Sequence, residues 1–147
     1  MTREPMALTD GGIETVLLFH EGLDLPCFAS FPLLEQESGR AALRRYFEPF
    51  LDTAQDHGLP FVLDTATWRA NPDWGAQLGY SLDALAAVNR EAVRFAGELA
   101  EGRPGVTING SIGPRGDGYV VGEQMTGEQA AEYHAWQIGV LRDAGVE

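Results

Sequence analysis

At 147 residues, with 44% hydrophobic and 10% aromatic side chains, the chain has the length and composition of a globular domain with a real core, which excludes disorder. Its formal charge is −12 with only ten Lys and Arg, which excludes nucleic acid and anionic membrane as partners, since both select clustered basic side chains. The single cysteine, Cys27, rules out an internal disulfide framework and cannot by itself form a thiolate metal site. No apolar run approaches the ~18 to 20 residues of a membrane span, and Met1-Thr2-Arg3-Glu4-Pro5 lacks the apolar segment of a secretory signal, so the expected location is cytoplasmic.

The chain opens with a short apolar run, Ala7-Leu8-Thr9, that stops at Asp10-Gly11-Gly12. A strand ending this way presents a carboxylate, and the two glycines offer positive φ and room for a ligand to approach the backbone. Ile13 to His20 reads as a short helix or irregular excursion, punctuated by Glu21-Gly22-Leu23-Asp24-Leu25-Pro26. Cys27 to Leu34 is apolar but carries Pro32, which makes it a poor central strand and suits a lid or edge segment. From Arg40, the residues Leu43, Tyr46, Phe47, Phe50, Leu51 and Ala54 form one stripe on a roughly 3.6-residue repeat, and Gly58 closes that helix.

A second apolar strand, Leu59 to Leu63, runs into Asp64-Thr65-Ala66-Thr67-Trp68-Arg69, followed by a loop of turn formers, Asn71-Pro72-Asp73-Trp74-Gly75. Ser81 is placed to N-cap a helix running to about Glu101, with Leu85, Val88, Ala92, Ala96 and Leu99 inward. The third strand, Val106 to Asn109, runs into Gly110-Ser111-Ile112-Gly113-Pro114 and a glycine-rich loop to Tyr119. Thr126 opens the last helix with Gln129 completing a capping box, Gly145 stops it, and Val146-Glu147 reads as the start of another strand. Strands alternating with helical crossovers call for parallel strands and an α/β fold in one domain, residues 1–147.

The strand ends have similar chemistry and suggest one shared site. Asp10, Gly11, Gly12, Thr65, Thr67, Ser111 and Gly113 are its candidate substrate-binding residues. The small residues around Ser111 suit an anion meeting backbone N–H groups, while the run lacks the first glycine of a nucleophile elbow, which argues against a hydrolase. Trp68, Arg69 and Trp74 read either as an aromatic wall of the site or as core. His134 and Gln137 read as buried, hydrogen-bonded structural groups. Asn109-Gly110-Ser111 and Arg115-Gly116-Asp117, which spell a glycosylation acceptor and an integrin-type tripeptide, read as coincidence.

Taken together, Leu8-Thr9-Asp10-Gly11-Gly12-Ile13-Glu14-Thr15, Asp64-Thr65-Ala66-Thr67-Trp68 and Gly110-Ser111-Ile112-Gly113-Pro114 resemble the homocysteine S-methyltransferase family in order and context. So does the ending, Tyr133-His134 to Gln137 and Leu141 to Val146. The chain differs at Ile13-Glu14, where many members carry Met-Gly, at Ala66, where many carry Asn, and at Trp68, which replaces Tyr. The resemblance implies a (β/α)8 barrel in which Asp10 holds the amino group of homocysteine, and in which zinc on cysteine thiolates binds the homocysteine sulfur for attack on a methyl donor. Because such a barrel needs ~250 residues, it further implies that this chain is its N-terminal part: three βα units cut off at the start of strand 4. The family's cysteine ligands follow later strands and Cys27 matches none, so the expectation is no zinc on this chain, no catalytic residue of its own, and no activity in isolation. Unpaired sheet edges imply self-association. The competing expectation is a non-catalytic small-molecule-binding or assembly module.

Overall fold

The computed structural model describes residues 6–122 and 124–146. The expectations for residues 1–5 and for Glu147 lie outside the described residues. Strands β1 (Leu8–Thr9), β2 (Phe61–Asp64) and β3 (Val106–Asn109) form a parallel sheet in the order β1-β2-β3. The register pairs Leu8 with Phe61, and Phe61 with Val106, so the strand ends at Asp10, Asp64 and Asn109 come out along one rim. Each strand is followed by helix, which is why the pairing is parallel: a crossover returns the chain to the same edge before the next strand starts.

Helix α1 (Ile13–Thr15) leaves β1 and continues into a π-helical turn, Val16–His20. Two 3-10 turns follow, Pro26–Phe28 and Phe31–Glu35. This stretch is not the lid or edge segment that Pro32 suggested. Phe31 and Leu34 are buried in the centre of the core, against α2 and α4, because a 3-10 turn tolerates proline at its start where a central strand does not. Within the first turn, Cys27 (φ 56°, ψ 20°) and Phe28 (φ 54°) are the only described non-glycine residues in the left-handed region. That conformation costs about 1 to 2 kcal/mol per residue, and two in succession persist only where the surroundings hold them.

Helix α2 (Glu37–Asp56) begins three residues before the expected Arg40 and buries the expected stripe, with Leu43, Phe47, Leu51 and Ala54 inside. Gly39 lies against the backbone of Leu33, where an added Cβ would come within 2.2 Å of the Leu33 carbonyl oxygen. The turn formers after β2 make a helix, α3 (Pro72–Gln77), rather than a loop. Asn71 caps it by accepting from Trp74 N, and Pro72 takes the first turn, so the same residue types that spell a turn also spell a helix start. Helix α4 (Leu82–Ala100), capped by Ser81, buries Leu85, Val88, Ala92, Ala96 and Leu99 as its periodicity predicts. Helix α5 (Gly127–Asp143) carries the expected capping box of Thr126 and Gln129, but Ile138 points outward and only Gln137 and Leu141 are fully buried on it.

The core lies between the sheet and these helices, with Phe61 and Leu63 of β2 at its centre. The opposite sheet face presents Thr9, Val62, Asp64, Thr107 and Asn109. No helix among the described residues is long and apolar enough to cross a membrane.

Candidate functional site

The strand ends enclose a cavity of about 190 Å³. Asp10, Gly11, Gly12, Thr65 and Ser111 line it, as do Glu14 and Asp64; Phe28, Trp68 and Tyr119 supply aromatic surface. Thr67 and Gly113 do not reach it.

Asp10 is half-buried at the end of β1, and its Oδ2 accepts a hydrogen bond from Tyr46 Oη of α2 at 2.9 Å. Burial pushes its carboxyl up from 3.8 to about 6; the carboxylates of Asp64 and Glu14 add to that push, while the Tyr46 bond opposes it. The Tyr46 hydroxyl is itself held far above its ordinary range by burial and by Asp10, so it remains a donor. Gly11 and Gly12 act by size alone. Neither takes positive φ, contrary to the expectation for such a pair: Gly12 sits at φ −89°. A Cβ built on Gly11 meets nothing closer than 4.0 Å, so the space beside Asp10 is open to a ligand.

Four residues on, Glu14 is only 7% exposed and accepts from Ser30 Oγ at 2.7 Å. Burial raises its carboxyl above the ordinary carboxylate value, and the Ser30 bond counters this. The third carboxyl, Asp64, accepts from Asn109 Nδ2 at 2.7 Å, across β2 and β3. The cavity therefore carries acceptors from the ends of β1 and β2 and from α1, and among the described residues no Lys, Arg or His lines it. A cationic group on a small ligand suits it.

Between β2 and β3 the two threonines form a closed set of hydrogen bonds. Thr67 Oγ1 donates to the Ser111 carbonyl at 2.6 Å, Ser111 N donates to Thr65 Oγ1 at 3.0 Å, and the two hydroxyls lie 2.7 Å apart. A hydroxyl has one proton. With the Thr67 proton spent on Ser111, Thr65 must donate to Thr67, so neither threonine can donate to a ligand. Thr67, 0% exposed, positions the β3 end from behind the cavity. The Ser111 amide is also committed, and what Ser111 offers the cavity is its hydroxyl.

Gly113 serves packing. A Cβ there would come within 2.4 Å of the Trp68 carbonyl oxygen and 2.7 Å of its indole ring. Trp68 can lie against the β3 loop only because residue 113 has no side chain. The candidate wall of Trp68, Arg69 and Trp74 divides: Trp68 faces the cavity, while Arg69 is stacked between the indoles, 4.4 Å from Trp68 and 3.9 Å from Trp74, and is 3% exposed. Its guanidinium donates to the carbonyls of Gly116 (3.2 Å) and Asp117 (2.9 Å), fastening the β3 loop to the β2 loop. Gln137 is structural, donating to the Thr67 carbonyl at 2.9 Å and to Asn89 at 3.2 Å. His134 Nδ1 is buried with no partner among the described residues. A larger open hollow of about 1040 Å³ between the β3 loop and α5 carries none of these strand-end carboxylates.

Sequence patterns missed Tyr46, Glu14 and Phe28. Tyr46 belongs to the α2 stripe, and periodicity reports only that a side chain points inward. Glu14 carried a usable signal, a charged residue in the otherwise apolar run after Gly12.

The fold agrees with the comparisons. Two solved structures of the homocysteine methyltransferase MmuM from Escherichia coli share this fold. The metallated form is 20% identical with a TM-score of 0.74, covering 99% of this chain and 52% of that one. The oxidized form is 23% identical with a TM-score of 0.73, covering 98% and 51%. The chain thus spans about half the length of the structures it matches. No curated protein sequence matches it. Residues 7–147 match the profile of the family described as homocysteine S-methyltransferase, and the chain belongs to that family.

Proposed function

We propose that this chain forms the N-terminal portion of a single (β/α)8 barrel domain and supplies the amino-acid-binding half of a cytoplasmic S-methyltransferase site. The acceptor is homocysteine or a related thiol amino acid, and the methyl donor is a second small molecule. The observation that carries the reading is Asp10: a carboxylate at a strand end, held by Tyr46, beside two glycines that leave its approach open. In barrels of this kind sites form from the loops at the carboxyl ends of the strands, and family membership supports the substrate class.

On this reading the ligand ammonium donates to Asp10, which is ionised at neutral pH because its carboxyl titrates near 6. The Ser111 hydroxyl is free to meet the ligand carboxylate, and Trp68 and Phe28 bound the apolar side. Gly11 and Gly12 keep the approach clear. None of these groups is placed to remove the thiol proton or to activate a methyl donor, so this half of the site binds and orients, and the chain alone is inactive.

The family resemblance and the metallated MmuM relative make zinc the expected metal of the complete protein. The residues of this chain do not fit it. Among the described residues no three His, Cys, Asp or Glu side chains gather around one point, and Cys27 is the only thiol. A thiolate zinc site needs several converging ligands, so they must come from elsewhere in the complete protein.

Calorimetric titration of the chain with L-homocysteine tests the reading. Asp10→Asn removes a charge-assisted bond and is expected to weaken binding by about 1.5 to 3 kcal/mol. An unchanged affinity would leave Asp10 as a turn residue and overturn the proposal.

A further inference from the structure

Tyr119 stands between two hollows. Among the described residues it alone lines both the strand-end cavity and the larger hollow between the β3 loop and α5. Its ring is 76% exposed and meets Trp68 edge-on at 6.2 Å, a modest contact for fixing a surface side chain. The backbone beneath it is better held. Asp117 Oδ1 accepts from the amides of Tyr119 at 3.1 Å and Val120 at 3.2 Å, and the intervening Gly118 turns at φ 87° against Pro114. Asp117 is gripped in turn by Arg69, which donates to its carbonyl and to that of Gly116, with the Asp117 carboxylate 3.9 Å from the guanidinium. Trp74 Nε1 adds a second donor to the Gly116 carbonyl at 3.3 Å. A single residue, Asp117, therefore joins the buried guanidinium to the backbone that carries Tyr119. Arginine is a costly choice for this place. Arg69 is 3% exposed and its Nε is buried with no partner among the described residues, a penalty that an apolar side chain in the slot between the two indoles would avoid. What arginine adds is a rigid fork of donors that takes two neighbouring carbonyls at once.

We infer that Arg69 is a positioning residue of the strand-end cavity: its grip on Gly116 and Asp117 sets Tyr119 as the wall that shuts the bound amino acid off from the larger hollow. This rests on the proposed amino-acid site and adds to it what closes that site on the β3 side. With the wall in place water reaches the cavity less freely, and the bond between the ligand ammonium and Asp10 is stronger where water is excluded. Without the grip the loop still connects β3 to α5, but the ring is no longer held over the cavity.

The test is a double-mutant cycle on the full chain, read as the Kd for L-homocysteine by calorimetry. Tyr119→Ala is expected to raise Kd by about two- to tenfold, the range one aromatic contact gives. Arg69→Met, which fills the slot without the donors, is expected to raise it to a similar degree. Because Arg69 acts through Tyr119, the double variant should bind no worse than the weaker single one, where independent effects would multiply. Tyr119→Phe keeps the ring and should recover most of the loss, whereas Arg69→Lys keeps the charge without the fork and should not. Asp117→Ala leaves the gripped carbonyl and removes the acceptor of the Tyr119 amide, so it should act as Tyr119→Ala does. That variant decides the matter if Arg69→Met fails to fold.

Multiplying effects in the double variant, or lowered melting in Arg69→Met or Asp117→Ala with Kd intact, makes the grip merely structural and overturns the inference while the proposed function stands. The expected cycle with no effect of Asp10→Asn overturns the ammonium role and leaves the wall standing. No binding of homocysteine to the wild-type chain overturns both.

Discussion

Tyr46 Oη donates to Asp10 Oδ2 at 2.9 Å, linking two residues 36 positions apart and joining the middle of α2 to the end of β1. This bond works against the burial that lifts the Asp10 carboxyl to about 6. In Tyr46→Phe the opposition is gone and the carboxyl rises further. Homocysteine affinity should fall as pH drops through about 6 in the wild-type chain, and the fall should begin at higher pH in Tyr46→Phe. Calorimetry across that range checks this. A coincident pH profile for the two proteins would mean that the ligand does not read Asp10.

The same carboxyl affects folding with a definite sign. Its folded-state value lies above the ordinary one, so between 3.8 and about 6 the folded chain holds more protons than the unfolded chain. The associated stability is present below that window and is lost as pH rises through it. Asp10→Asn should therefore be at least as stable as wild type at neutral pH, although it binds the ligand poorly. Urea unfolding at pH values below and above the window measures both. A drop in stability at neutral pH would identify Asp10 as a structural cap.

Thr67→Val keeps the shape of the side chain and removes its hydroxyl, leaving the Ser111 carbonyl and Thr65 without their partner. The expected cost is about 1 to 3 kcal/mol, the penalty for leaving buried polar groups unpaired. Denaturant unfolding gives the number. Were Thr67 a ligand contact, affinity would fall while stability held.

The glycines of the rim should separate by experiment. In Gly113→Ala the new methyl group collides with Trp68, and overpacking of this kind costs typically about 1 to 3 kcal/mol. Gly11→Ala meets nothing closer than 4.0 Å and should leave the melting temperature almost unchanged while obstructing the ligand. Thermal melts paired with homocysteine titrations resolve the two cases.

Among the described residues β1 and β3 each pair on one side only, which leaves two open edges. The exposed sheet face carries Thr9, Asp64, Thr107 and Asn109 around one half-buried apolar side chain, Val62, so the larger apolar exposure is in the β3 loop, where Tyr119, Val120 and Val121 are 76%, 71% and 87% exposed. Sedimentation velocity should show self-association that rises with concentration, and Val120→Asp with Val121→Asp should reduce it. If the double variant associates as wild type does, the strand edges are responsible.

The parts of this molecule legible from sequence are those governed by local rules. The stripes of α2 and α4 follow from period, and the Thr126 and Gln129 box from capping chemistry. Asp10 could be placed at a strand end because an apolar run stops there before two glycines. Residues whose role depends on a distant partner were not legible. The Tyr46 hydroxyl, the burial of Glu14 against Ser30 and the stacking of Arg69 between two indoles are set by packing between segments. Asn71-Pro72 was misread for a different reason, because a turn and a helix start share their residue types. No local propensity predicts left-handed backbone at Cys27 and Phe28, since both residue types disfavour it.

The rings of bonds on the two sides of the cavity differ in one respect that matters for a cell whose acidity varies. Thr65, Thr67 and Ser111 stitch β2 to β3 with hydroxyls, an amide and a carbonyl, none of which gains or loses a proton near neutrality. Tyr46 and Asp10 brace β1 with a carboxylate that does. Acidification therefore alters the rim on one flank only: the β2–β3 seam keeps all its protons while the β1 carboxylate gives up its charge, and a ligand held by both would be released at its amino end first.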